Sequence, residues 1–352
     1  MSYADGLELV ELIGGSGYEV TETRILHLNT LETVKAALID CKSGYENTFL
    51  LCSKRAVPFA HRALEEVFEK EFFQGTERET GIYFEKDKAL CLLPLGEEGR
   101  EYLKCVCLPA LDRHYGLAHA KLTMRFVGAE QGKIQALADG AERYGQGRVR
   151  VNTKRRYGED IVEILYDSGT PKMLTDEIAR GFAQELGESL YSLDDTALEE
   201  QLVQLLKLRG KKIAVAESFT GGGVGRRIVS VAGASKVFVE GLNTYAESSK
   251  KNRLGVSEYT LQTHGAVSPQ TAYEMAAGLL RAGEVQVAIA TTGLAGPQSD
   301  DSGLPVGTCC IAVGVDDKIF VSRYKLDGNR KQITETAINY ALFLACKQLK
   351  KY

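Results

Sequence analysis

The sequence predicts an α/β protein whose carboxyl-terminal part folds as an α/β/α sandwich. Strand-like and helix-like hydrophobic patterns alternate along the chain, and Val285–Thr291 is almost wholly apolar, as a strand buried on both faces must be. Glycine-rich segments also follow the ends of two predicted strands, the usual place for ligand loops in open α/β sheets. With 352 residues the chain exceeds what one ordinary core accommodates, so several domains are expected, over 1–118, 119–192 and 193–352. A content of 44% hydrophobic and 26% charged residues is that of a globular protein, and the net charge of −4 gives no whole-molecule attraction to nucleic acid or an acidic membrane. The opening residues lack a basic start and apolar run, and no apolar stretch is long enough to span a bilayer, so a cytoplasmic location is expected. Eight cysteines (41, 52, 91, 105, 107, 309, 310, 346) show no C-x-x-C pair or nearby histidine and read as free buried thiols. Neither a metal nor a cofactor is expected.

In the first segment Leu7–Ile13 is a short amphipathic run closed by Gly14–Gly17, which reads as a helix stop because it follows a helix-like run and not a strand. Leu31–Ile39 reads as a helix and Thr48–Cys52 as a strand. His61–Phe73 reads as a second helix with Leu64, Val67, Phe68, Phe72 and Phe73 on its apolar face. The middle segment follows a β-α-β-β-α order: Lys121–Val127, Glu130–Tyr144, Arg148–Thr153, Asp160–Tyr166 and Met173–Leu190. Between its paired strands Arg148, Arg150, Lys154, Arg155 and Arg156 cluster beside Tyr157. This is a candidate nucleic-acid surface, although a solvated hairpin tip offset by Glu159 and Asp160 is the favoured reading. Ser192–Asp195 reads as a linker into a helix over Ala197–Leu208, which stops at Gly210.

Beyond 212 the pattern is cleaner. Strands are predicted at Lys212–Ala216, Lys236–Tyr245, Val285–Thr291, Cys309–Val315 and Lys318–Tyr324. Helices are predicted at Gly221–Val231, Ser248–Leu254, Ser257–His264, Ser268–Ala282 and Lys331–Leu349. Two loops stand at strand ends. In Glu217–Gly223 the glycines admit close backbone approach, and the helix start offers unpaired donors to an anion. The other is Thr291–Pro297, with Gly307-Thr308 opening the next strand. Either loop is also compatible with an ordinary tight turn. Ser218 is a nucleophile only if a base adjoins it. Of the five histidines (27, 61, 114, 119, 264), only His264 lies in this segment, at an apparent helix end, so a histidine triad is not indicated. Lys250 is the remaining base, provided that it is desolvated enough to be neutral, although a lysine at such a position is more often a solvated helix charge.

Taken together, A-E-S-F-T-G-G at 216–222, V-A-G-A-S at 231–235, Y-A-E-S-S-K-K at 245–251, H-G-A-V-S at 264–268, T-G-L-A-G-P at 292–297 and P-V-G-T at 305–308 resemble, in order and spacing, the carboxyl-terminal domain of the CinA (competence/damage-inducible) family. That resemblance covers about 195–350 and implies nicotinamide-nucleotide amidohydrolase activity: hydrolysis of nicotinamide mononucleotide to nicotinate mononucleotide and ammonia, without a metal. It implies Ser218 as nucleophile, Lys250 as general base and Tyr245 as a tyrosine that helps arrange the pair. Thr220, Gly221 and Gly222 would line the oxyanion or phosphate side, Thr292 and Gly293 the second loop, and Arg330 would contact substrate. The sequence departs from the family at Phe219, where cysteine is usual, at Glu247-Ser248, where an asparagine–glutamate pair is usual, and at Leu304, where lysine is usual.

Residues 119–192 resemble the family's KH-like domain. The first 118 resemble, more loosely, its molybdopterin-binding-like domain, here truncated and degenerate. Leu51–Ala56 and Leu93–Glu97 stand where that domain carries glycine loops, so ADP-ribose pyrophosphatase activity is not expected and a scaffold or dimerising role is. The expected partner is the small-molecule substrate, with no membrane or nucleic-acid partner and with assembly as a homo-oligomer. The alternative is a non-catalytic nucleotide-binding or regulatory protein, and a nucleic-acid role through 148–156 is a third reading.

Overall fold

The computed structural model describes residues 3–18, 20–24, 30–69, 81–85, 88–116, 118–282, 284–299 and 303–352. The chain separates into two compact units, one holding residues up to 121 with 141–152 and 163–176, the other 122–140, 153–162 and 177–352. The first begins with α1 (Tyr3–Gly14), α2 (Leu31–Gly44), β1 (Asn47–Cys52), α3 (Val57–Phe68), β2 (Gly81–Glu85), β3 (Lys88–Pro94), α4 (Glu97–Tyr102) and α5 (Leu108–Tyr115). Its sheet has the order β1-β3-β2, with β1 parallel and β2 antiparallel to β3. The period of two along β3 sends Leu90 and Leu92 to the α2–α3 side, and Cys91 and Leu93 to the α1–α5 side. As the sequence implied, Gly14–Gly17 ends α1: the Gly15 N–H returns to Glu11 O at 2.8 Å and Gly17 is left-handed at φ +97. The helix predicted from His61 begins earlier, at Val57, because Pro58 suits a first turn. Its predicted far end, Phe72 and Phe73, lies outside the described residues. All eight cysteines are free, but Cys105 is exposed and Cys41 half-buried, contrary to the expectation that all are buried.

Next come β4 (Ala120–Val127), α6 (Gln131–Gly145), β5 (Val149–Arg156), β6 (Glu159–Tyr166), α7 (Lys172–Leu186) and β7 (Leu190–Ser192), the strands ordered β5-β6-β4-β7. The expected β-α-β-β-α order holds, but α7 stops at Leu186 and the tail of its predicted span pairs as β7 against Phe126. The β5–β6 turn is two left-handed residues, Tyr157 at φ +53 and Gly158 at φ +70. Lys154, Arg155 and Arg156 before the turn are exposed, and the turn itself is half-buried. The Tyr157 carbonyl accepts from Asn339 Nδ2 at 2.9 Å, and a Cβ on Gly158 would meet Thr336 and Tyr340 at 3.0 Å. Asn339 is itself buried, and its Oδ1 accepts from Arg227 Nη1 at 2.7 Å.

The rest is the sandwich: α8 (Leu198–Arg209), β8 (Ile213–Glu217), α9 (Gly223–Val229), β9 (Phe238–Asn243), α10 (Glu247–Leu254), α11 (Glu258–His264), α12 (Pro269–Arg281), β10 (Val287–Gly293), β11 (Thr308–Val315), β12 (Lys318–Lys325) and α13 (Arg330–Lys351). Five strands run in the order β12-β11-β10-β8-β9; β9 and β10 flank β8 in parallel, and β11 and β12 are antiparallel additions. Alternation divides the faces by size. Val215, Ile289, Ile311 and Val313 pack on α8 and α13, whereas Ala214, Ala216, Ala288, Ala290 and Ala312 face α10 and α12. The alanine face lets those helices approach closely, and Gly278 lets α12 touch α10, since a Cβ there would lie 2.2 Å from Leu254 O. Because β9 and β10 lie on opposite sides of β8, the carboxyl ends of β8 and β10 open a crevice at a topological switch point.

Candidate active site

The two ladders of β8 run one residue past its end: Ser218 N–H donates to Thr291 O at 3.0 Å, and Thr244 N–H to Glu217 O at 2.8 Å. Side chains alternate, so Ser218, Thr244 and Thr292 fall on the same face as Ala216, Leu242 and Ala290, the face that α10 covers. From α10 comes Lys250, 1% exposed. Its Nζ lies 3.1 Å from Ser218 Oγ, 2.9 Å from Thr244 O and 3.0 Å from Tyr245 O. Burial lowers the amine's pKa to about 8 against a smaller opposing pull from Glu247, because the low-dielectric surroundings disfavour the charged form. A lysine at this position reads from sequence as a solvated helix charge, and the fold reverses that reading by laying α10 across the strand ends.

The glycine loop is more self-contained than its composition implied. Gly221 and Gly222 are left-handed, at φ +60 and +93. The Gly221 N–H donates to Ser218 O at 3.1 Å, and those of Gly222, Val224 and Gly225 donate to the Glu217 carboxylate at 3.0, 3.1 and 2.8 Å. The donors expected to be unpaired at the start of α9 are therefore held by a buried carboxylate from the preceding strand. Sequence reasoning missed Glu217 in this part, since a charge at a strand end gives no sign of folding forward onto the next helix. The N–H groups of Phe219 and Thr220 have no protein acceptor among the described residues. Thr220 Oγ1 and Thr291 Oγ1 are 2.6 Å apart and fix the loop to β10. The Phe219 ring is buried with Ala295, Cys309, Leu326, Ile333 and Ala337, and Gly293 makes room for it: a Cβ there would lie 3.0 Å from the ring and 2.5 Å from Cys309 Cβ.

The remaining candidates have distinct positions. Tyr245 meets Lys250 through its carbonyl, while its side chain is 67% exposed. Thr292 Oγ1 donates to Ala266 O at 2.7 Å, linking β10 to the loop after α11. Arg330, the first residue of α13, donates from Nη1 to Gly296 O at 2.7 Å and so holds the second glycine loop. Beside these elements lies an open cavity of about 530 Å³, lined by residues that include Glu247, His264, Ala266, Gln270 and Arg323. Among the described residues no group of three or more His, Cys, Asp or Glu converges as metal ligands, and no helix is long and apolar enough to cross a membrane.

An open α/β sheet that buries a lysine against a serine at its switch point defines a protein built around a serine–lysine pair. Residues 195–349 match the CinA C-terminal domain family. A competence-damage inducible protein of Clostridium botulinum is 31% identical over 276 residues, 77% of this chain and 67% of that one. CinA-like proteins of Kosmotoga olearia and Thermotoga neapolitana are 41% identical over 165 residues and 38% over 208 residues, covering 47% and 59% of this chain. The chain belongs to the CinA family. It spans 40% and 51% of the length of those last two relatives. A crystal structure of a CinA-superfamily protein from Klebsiella pneumoniae is 29% identical, covers 44% of this chain and 97% of its own, and superposes with a TM-score of 0.43.

Proposed function

We propose that the chain hydrolyses the carboxamide of nicotinamide mononucleotide, giving nicotinate mononucleotide and ammonia through an acyl-enzyme on Ser218. The observation that supports this reading is the set of partners around Lys250: two backbone carbonyls and one hydroxyl. A neutral amine has two N–H groups and one lone pair. The carbonyls of Thr244 and Tyr245 accept only, so they take both N–H groups and leave the lone pair for the Ser218 O–H. With a pKa of about 8, roughly a tenth of the amines are neutral at pH 7. Attack by Ser218 Oγ on the amide carbon would pass its proton to Lys250 and from there to the departing amine. The N–H groups of Phe219 and Thr220, unclaimed by acceptors among the described residues, are the candidate donors to the oxyanion. The ribosyl phosphate would extend towards Arg330 or the cavity that Arg323 and His264 border. Residues up to 118 would act as a scaffold.

The test is ammonia release from nicotinamide mononucleotide. Wild type is expected to turn over, with Ser218→Ala and Lys250→Met each lowering kcat/KM by about a thousandfold or more. Release that survives Ser218→Ala would overturn the mechanism. No release from wild type would leave the non-catalytic nucleotide-binding reading in its place.

A further inference from the structure

One polar atom at the site is left without a role. Thr244 is 1% exposed, its N–H is bonded to Glu217 O and its carbonyl to Lys250 Nζ, yet its Oγ1 is buried with no hydrogen-bond partner among the described residues. Buried hydroxyls are ordinarily paired, and one that is not commonly marks the seat of a water or a ligand. The position of this hydroxyl is informative. The ladder from Glu217 to Thr244 makes Thr244 the cross-strand neighbour of Ser218, with both side chains on the α10 face. The third hydroxyl in that row, Thr292, is already committed to Ala266 O. Thr244 Oγ1 is thus the uncommitted hydroxyl beside both the serine and the lysine.

We propose that Thr244 Oγ1 seats the water that hydrolyses the acyl-enzyme, an inference that rests on the serine–lysine reading above. Once ammonia has left, the Lys250 lone pair faces an ester oxygen that has no proton to offer. A water held by Thr244 Oγ1 fills that place. Its oxygen bonds to the acyl carbon while one of its protons passes to Lys250 Nζ. The Ser218 Oγ–carbon bond then breaks, and the proton on Lys250 returns to Ser218 Oγ. The carboxylic acid so formed gives its remaining proton to solvent and leaves as the carboxylate, with serine and amine restored. Thr244 thereby serves the second half of the reaction and not the first, since acylation needs no bound water.

The experiment is rapid-quench ammonia release together with intact-protein mass measurement on wild type, Thr244→Val, Thr244→Ser and Ser218→Ala. Valine keeps the shape of threonine and removes the hydroxyl. Thr244→Val is expected to release about one equivalent of ammonia in a burst and then slow about tenfold, with the acyl adduct accumulating on Ser218. Thr244→Ser should restore steady turnover without the adduct, and Thr244→Ala provides a smaller variant should valine disturb packing. A Thr244→Val enzyme that matches wild type, or one that slows without burst or adduct, overturns the proposal. Loss of ammonia release in wild type, or its persistence in Ser218→Ala, is a different outcome: it removes the acyl-enzyme itself and this inference with it.

Discussion

Two strands of the molecule end alike and differ in what meets them. β1 and β8 each lie in a parallel pairing, each is followed directly by a serine, Ser53 or Ser218, and each leads towards a helix. After β1 come Lys54 and Arg55. The Lys54 side chain is 58% exposed and pairs with Glu98 at 2.5 Å. After β8 come left-handed glycines, a carboxylate that folds over the start of α9, and a lysine delivered from α10 to the buried face. A serine at a strand end is therefore an address, not a function. What distinguishes the second end is that another helix removes water from the lysine.

The largest effect that would sharpen this comparison is on stability. Lys250 has its pKa lowered from 10.5 to about 8, so between those values the unfolded chain holds a proton that the folded chain does not. Stability from this group is present above the unfolded value and is lost as pH falls through about 8, amounting to about 3 kcal/mol. Urea unfolding of wild type and Lys250→Met should accordingly show an extra rise in wild-type stability from pH 8 to 10.5, and parallel curves would break the argument. In activity, kcat/KM should fall about tenfold per pH unit below pH 8. The same profile in Lys54→Met is expected, since that exposed pair is worth little and lies at the other strand end. Smaller still is Glu217→Gln. The amide keeps one acceptor oxygen and turns an NH₂ towards N–H donors, which should cost about 2 kcal/mol by urea unfolding, whereas Ser53→Ala should stay within about 0.5 kcal/mol.

Much of the sandwich was legible because its signals are local. Val285–Thr291 is apolar throughout, and the predicted strands and helices beyond 212 all recur with ends shifted by a few residues. The serine–lysine pair was legible only through the motif pattern, since the two stand 32 positions apart with no periodicity linking them. Other features depend on tertiary contact. Glu217 caps a helix from a strand, Thr244 is buried with its carbonyl held by Lys250 of α10, and Leu190–Ser192 is too short to be recognised as a strand before β4 pairs with it. Phe219 turns its ring into an apolar cluster with Ala295, Cys309 and Leu326, where the absence of a Cβ on Gly293 leaves room for it.

Asn339 divides its amide between Arg227 and the Tyr157 carbonyl, and its neighbour Tyr340 fits against Gly128 and Gly158. The family match begins at residue 195, after the hairpin that these contacts hold. A chain cut to begin at Asp195 would strip α13 of the hairpin tip, taking the Tyr157 carbonyl from the Asn339 amide and opening one side of the Tyr340 ring to water. Such a fragment would carry every residue of the candidate site and still be the more fragile protein.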